Sequence, residues 1–120
     1  MIFKTLGNKD KPAVLFFHAM GVTGDSSMPV AEHLQEKYFC IMPTSTVYCR
    51  EQRYVSKADE ARQVEAFLRK NDVERLALVV ASSIGADLAI AFLTIRNCLW
   101  NTFSLTADSL RRYRCRCGGL

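Results

Sequence analysis

The chain has 120 residues, 49% of them apolar and 23% charged, with a net charge of +4. That is ordinary composition for one small globular domain with little core to spare. No apolar run approaches the roughly 20 residues of a membrane-spanning helix, and the start (Met1-Ile2-Phe3-Lys4) lacks the pattern of a secretory signal. Both point to a cytoplasmic protein with no membrane partner.

Residues 2–6 read as a short strand closed by Gly7-Asn8. After Lys11-Pro12 comes Ala13-Val14-Leu15-Phe16-Phe17, an unbroken apolar run of strand length that suits burial on both faces. Residues 18–24 form a loop punctuated by Gly21 and Gly24. A helix is expected over 27–37, with Pro29 in its first turn and Val30, Ala31 and Leu34 on its inner face. Residues 38–42 read as a second buried strand that Pro43 closes, and 44–55 as polar loop.

Ser56 opens the clearest helix, over 56–71. Ser56 and Asp59 fit a capping box with Asp where Glu is usual, and Ala61, Val64, Phe67 and Leu68 share one face. Residues 76–81 form a third apolar strand, 82–85 a tight turn, and 86–95 an apolar helix. Strand and helix alternate throughout. That order predicts a parallel sheet of three or four strands with helices on both faces.

Composition changes near residue 96. Residues 1–95 hold 11 Lys and Arg against 11 Asp and Glu, so the whole net charge lies in the tail, in Arg96, Arg111, Arg112, Arg114 and Arg116 against Asp108. No confident element is readable after Asn97. We therefore divide the chain into 1–95 and a basic, Cys- and Arg-rich tail over 96–120 that does not read as native to the same fold. One explanation for such a break is a shifted reading frame. Codons permitted for residues 95–114, read in another frame, give an apolar strand and an Asp-Gly-Gly turn, as a continuing sheet requires. The arginines lack interleaved aromatics beyond Tyr113, so no nucleic-acid partner is expected.

The five cysteines (Cys40, Cys49, Cys98, Cys115 and Cys117) are scattered and odd in number, which implies reduced thiols rather than a disulfide framework. Cys115 and Cys117 have no second pair and no nearby histidine, so neither a metal nor a cofactor is implied.

The sharpest local signal is Val79-Val80-Ala81-Ser82-Ser83-Ile84-Gly85-Ala86. A buried strand runs into a serine and then into a helix through small residues, which a strained strand-to-helix turn requires. With His18-Ala19-Met20-Gly21 after Phe17 and an amphipathic helix ahead of the strand, residues 1–96 resemble the N-terminal part of an α/β-hydrolase. The family's Gly-x-Ser-x-Gly appears here as Ala81-Ser82-Ser83-Ile84-Gly85, and Ala19 and Thr44-Ser45-Thr46 also depart from the family pattern.

The resemblance implies a partial three-layer α/β/α fold with a mostly parallel sheet. It implies Ser83 as a nucleophile toward an ester-like acyl bond of a small-molecule substrate. The backbone N–H groups of Met20 and Ile84 would form the oxyanion hole, with His18 and Gly21 ordering the loop. The family's triad runs serine, acid, histidine along the chain, whereas both histidines, His18 and His33, precede Ser83. His33 falls on a solvated helix face and Asp87 on a helix surface. The chain is therefore expected to be inactive by itself, with self-association through an exposed edge of its elbow strand. The competing reading is a non-catalytic α/β module that binds a small anion near Gly85 or a partner along its sheet edge.

Overall fold

The computed structural model describes residues 1–96 together with the strands at 103–107 and 109–113. In chain order the elements are β1 (Ile2–Leu6), β2 (Ala13–Phe17), α1 (Met28–Leu34), β3 (Phe39–Thr44), α2 (Lys57–Lys70), β4 (Leu76–Ser82), α3 (Gly85–Arg96), β5 (Phe103–Ala107) and β6 (Ser109–Tyr113).

The unbroken apolar run of β2 is explained by its place. All five of its residues are buried. Successive side chains of a strand point to opposite faces. Ala13, Leu15 and Phe17 enter one core with Ala61, Val64 and Leu68 of α2 and Leu88, Ala89 and Phe92 of α3. Val14 and Phe16 enter a second core with Ala31 of α1 and with Cys40 and Met42 of β3. The sheet thus carries α1 on one face and α2 with α3 on the other.

The strands lie in the order β1-β3-β2-β4-β5-β6. Pairing is parallel for β2 with β3, β2 with β4 and β4 with β5, and antiparallel for β1 with β3 and β5 with β6. The sheet is mostly parallel, as expected, but has six strands rather than three or four. The expected unpaired edge at β4 is absent: Val79 to Ser82 pair with Phe103 to Thr106 of β5. In Phe103-Ser104-Leu105-Thr106-Ala107, apolar and small polar residues alternate at strand period, over a run too short to stand out by itself.

Three local expectations change. The first helix is shorter than 27–37. A 3₁₀ turn over Gly24–Ser27 precedes α1, and Tyr38 N–H bonds back to Leu34 O (2.9 Å) as the chain turns into β3. Pro43 lies inside β3 rather than after it. Its pairing with β2 ends at Ile41, so only β1 flanks Pro43, and the missing N–H forfeits no bond toward β2. The 44–55 loop holds a 3₁₀ turn at Thr46–Tyr48.

The helix from Ser56 forms as predicted: the Ser56 hydroxyl accepts from Asp59 N–H at 3.0 Å, and Ala61, Val64 and Leu68 face the core. No described helix is long and apolar enough to cross a membrane.

Candidate active site

The chain leaves β2 toward the α1 face and leaves β4 toward the α2 and α3 face. The carboxyl ends of these two neighbouring strands therefore border a crevice, the place where open α/β sheets take ligands. Residues 18–21 follow β2 and Ser83-Ile84 follow β4, so the topology brings together two segments more than 60 residues apart in sequence.

Ser83 sits in the turn between β4 and α3 with φ at +50°, in the left-handed region that a residue with a Cβ seldom adopts. Such a conformation costs about 1–3 kcal/mol and persists only where its surroundings enforce it. Ala81 packs wholly buried below the turn. Gly85 presses against the end of β2, where a Cβ would come within 2.7 Å of the carbonyl oxygens of both Phe17 and His18. Ala86 N–H closes the turn on Ser83 O at 2.9 Å. Phe92 of α3 meets Phe17 edge to face at 6.0 Å, which holds the helix beneath β2. The side chain of Ser83 is exposed.

The segment after β2 is tied to the segment after β3. His18 is buried, its Nε2 accepts the Ser45 N–H at 3.0 Å, and its Nδ1 lies 2.8 Å from Ala19 O. The accepting Nε2 leaves the ring proton on Nδ1, donated to that carbonyl. Gly21, at φ +81°, donates its N–H to Tyr48 Oη at 2.6 Å. The ring of Tyr48 also packs edge-on against His18, 5.6 Å between centroids. Ser45 and Thr46 are held in turn by Glu60 of α2. One carboxylate oxygen of Glu60 accepts from Ser45 Oγ, Thr46 N–H and Thr46 Oγ1, each at 2.7 Å.

A cavity of about 380 Å³ opens among these segments. Phe17, Met20, Tyr48, Tyr54, Ile84 and Leu88 line it, as do His18, Ser45 and Glu60. Lys57 also lines it, with its ammonium paired to Asp87 at 2.6 Å. The structure thus brings His18, Met20 and Ile84 to one cavity and places Gly21 beside it through Tyr48. Ser83 adjoins Ile84 in sequence but is not among the lining residues. Among the described residues, no acceptor takes the N–H of Met20 or Ile84.

His18 spends both ring nitrogens on backbone groups, and His33 is exposed on α1 and does not line the cavity. Asp87 is an exposed helix residue paired with Lys57, as its position predicts. Among the described residues, no group of three His, Cys, Asp or Glu side chains comes together to hold a metal. Cys40 is fully buried in β3, where desolvation pushes its thiol pKa up.

Sequence reasoning missed Glu60, Ser45 and Tyr48. Glu60 carried a legible signal, since with Val64 and Leu68 it continues the apolar stripe of α2 at a spacing of four. A charge on a buried stripe needs partners. Tyr48 carried none, because its value lies in reaching Gly21 across 27 positions.

No family model matches the chain, and neither does any curated protein. Solved structures do. A putative alpha/beta hydrolase family protein from Desulfitobacterium hafniense superposes with a TM-score of 0.78 at 18% identity, over 87% of this chain and 43% of that one. A marine microorganism esterase gives 0.74 at 15%, over 87% and 40%. The esterase RhEst1 from Rhodococcus sp. ECU1013 gives 0.73 at 16%, over 87% and 40%. The chain therefore has the α/β-hydrolase fold in partial form. It spans about two fifths of the length of these structures.

Proposed function

We propose that this chain carries the nucleophile half of a serine hydrolase acting on an ester-like acyl bond of a small molecule, with Ser83 as the nucleophile. The observation that carries the reading is the left-handed backbone of Ser83 at a strand-to-helix turn over a crevice. That conformation presents a hydroxyl at the top of a sheet, above the N-terminus of α3, where negative charge is favoured. In the reaction Ser83 Oγ bonds to the acyl carbon, and the carbonyl oxygen becomes an oxyanion that the Met20 and Ile84 N–H groups receive. Each such donor contributes about 3–4 kcal/mol to lowering the barrier. The serine proton passes to a base and then to the departing alkoxide.

The base and its orienting acid follow the serine in this fold's chain order, and no histidine follows Ser83 in the 120 residues. By itself the chain turns over negligibly in this reading, since a triad without its partners keeps only binding and oxyanion stabilisation. This reading requires a histidine from outside these 120 residues, and the gene's nucleotides downstream of the Ile95 codon test that directly. The apolar cavity favours a second reading, a module that binds without catalysing.

A fluorophosphonate probe separates the two readings. Slow covalent labelling of the chain, abolished in Ser83→Ala, supports the nucleophile. A chain that never labels while a hydrolase control does leaves the binding reading in place.

A further inference from the structure

The geometry points to Glu60 as the positioning residue of the 18–21 loop, acting through the 45–48 turn. Glu60 is 3% exposed, yet among the described residues it is the only acceptor for three donors, the Ser45 hydroxyl and the N–H and hydroxyl of Thr46. Three donors thus converge at 2.7 Å on one carboxylate oxygen. They fix the backbone of Ser45 and Thr46 on α2, a 14-residue helix capped by Ser56 and packed into the core.

From that anchored turn two bonds run to the loop after β2. Ser45 N–H reaches His18 Nε2 at 3.0 Å, and Tyr48 Oη takes the Gly21 N–H at 2.6 Å. These bonds hold residues 18 and 21, on either side of Met20. Sequence offers no such restraint, because Gly21 is free to adopt many conformations and nothing packs within 4 Å of its Cβ position. The loop's shape is thus imposed from α2, and Glu60 is the one charged group in the chain of contacts. Glu60 touches neither Ser83 nor any reacting atom in this reading. It acts on the orientation of the Met20 N–H, and only the labelling part of its test rests on Ser83 being the nucleophile.

The test uses the full chain and two variants, Glu60→Gln and Glu60→Ala, with Val64→Ala as a control that loosens the same helix without touching the turn. Amide exchange of Ser45 and Gly21 is followed by NMR, together with the ¹⁵N shifts of the His18 ring. Both amides should exchange faster in Glu60→Ala, and to a lesser degree in Glu60→Gln, which keeps an acceptor oxygen. The His18 Nε2 signal should move toward that of an unbonded imidazole. Val64→Ala should change neither well below its melting temperature. Fluorophosphonate labelling of Ser83 should fall roughly tenfold or more in Glu60→Ala, the scale of a misplaced oxyanion donor. Exchange and His18 shifts unchanged in Glu60→Gln and in a folded Glu60→Ala overturn the proposal. If Glu60→Ala does not fold, Glu60→Gln decides by the same readouts. Faster exchange in a protein that never labels leaves the positioning role standing and removes the nucleophile reading alone.

Discussion

Gly85 lies so close to His18 that a Cβ on the glycine would stand 2.7 Å from the histidine's carbonyl oxygen. This contact joins the turn after β4 to the loop after β2. Gly85→Ala must therefore push α3 away from β2 or distort one of the two segments. Overpacking of this kind costs about 1–3 kcal/mol, and the denaturant midpoint should fall accordingly. Gly21→Ala is the instructive comparison. Nothing lies within 4 Å of its Cβ position, so its cost is only that of a left-handed backbone at φ +81°, about 1–2 kcal/mol. Ser83 labelling should suffer in both variants, through the turn in the first and through the loop in the second.

Strain at Ser83 is open to a stability measurement that needs no substrate. At φ +50° a Cβ is disfavoured, so Ser83→Gly relieves the turn while gaining some unfolded-state entropy. We expect a net stabilisation of about 0.5–1 kcal/mol from these opposing effects. Ser83→Ala keeps the Cβ and should leave the midpoint nearly unchanged. Ser83→Val, branched at Cβ, should lower it. The order Gly, Ala, Val in urea midpoints checks the strain. An Ala variant as stable as Gly would show that the turn is relaxed.

Much of this arrangement is legible in the sequence, and the illegible part has a physical cause. The unbroken run 13–17, the capped helix from Ser56 and the small residues around Ser83 are local signals, each written in neighbours within one turn or one strand. They place the two strands and the helix that define the crevice. Pro43 misleads because its effect depends on which neighbour a strand has at that point, and β2 happens to have ended. Glu60, Ser45 and Tyr48 act across 14 to 27 positions. Their roles exist only after the sheet has brought the loops after β2 and β3 side by side. The strands β5 and β6 are illegible for different reasons: the alternation of Phe103-Ser104-Leu105-Thr106-Ala107 is only five residues long, and Ser109-Leu110-Arg111-Arg112-Tyr113 does not alternate at all.

Burial makes a pH-dependent prediction at Cys40. Its thiol is fully buried and desolvation raises its pKa, so the folded chain holds the proton more tightly than the unfolded chain does. The unfolded state then binds fewer protons once pH exceeds the ordinary thiol range. Stability attributable to Cys40 is complete below that range and declines as pH rises toward the folded-state value. Replacing Cys40 with Ser or Ala would confound packing with titration, so the cleaner measurement is reactivity. Cys40 should resist iodoacetamide at pH 8 in buffer and react readily in denaturant. Modification in buffer at the rate of an unfolded thiol would show that the α1 face of the sheet opens freely.

The far end of α3 offers a test of how the site's supporting helix is held. Arg96 donates to the carbonyls of Val73 and Glu74 at 3.3 and 3.2 Å, in the connection that feeds β4. Its second guanidinium nitrogen lies 3.6 Å from Glu65 of α2, and both side chains are largely buried. Those two facing atoms, Arg96 Nη1 and Glu65 Oε2, make no hydrogen bond. The pair therefore gains attraction without the bonding that normally offsets desolvation. Glu65 keeps a second partner in Arg69, at 3.0 Å, so removing Arg96 does not orphan the carboxylate. Arg96→Ala should accordingly cost about 1–3 kcal/mol, mostly from the two lost carbonyl bonds and the buried stem. A double-mutant cycle with Glu65→Gln should show a coupling below about 1 kcal/mol. A coupling several times larger would mean that the ion pair, and not the carbonyl bonds, fastens α3 to the connection before β4.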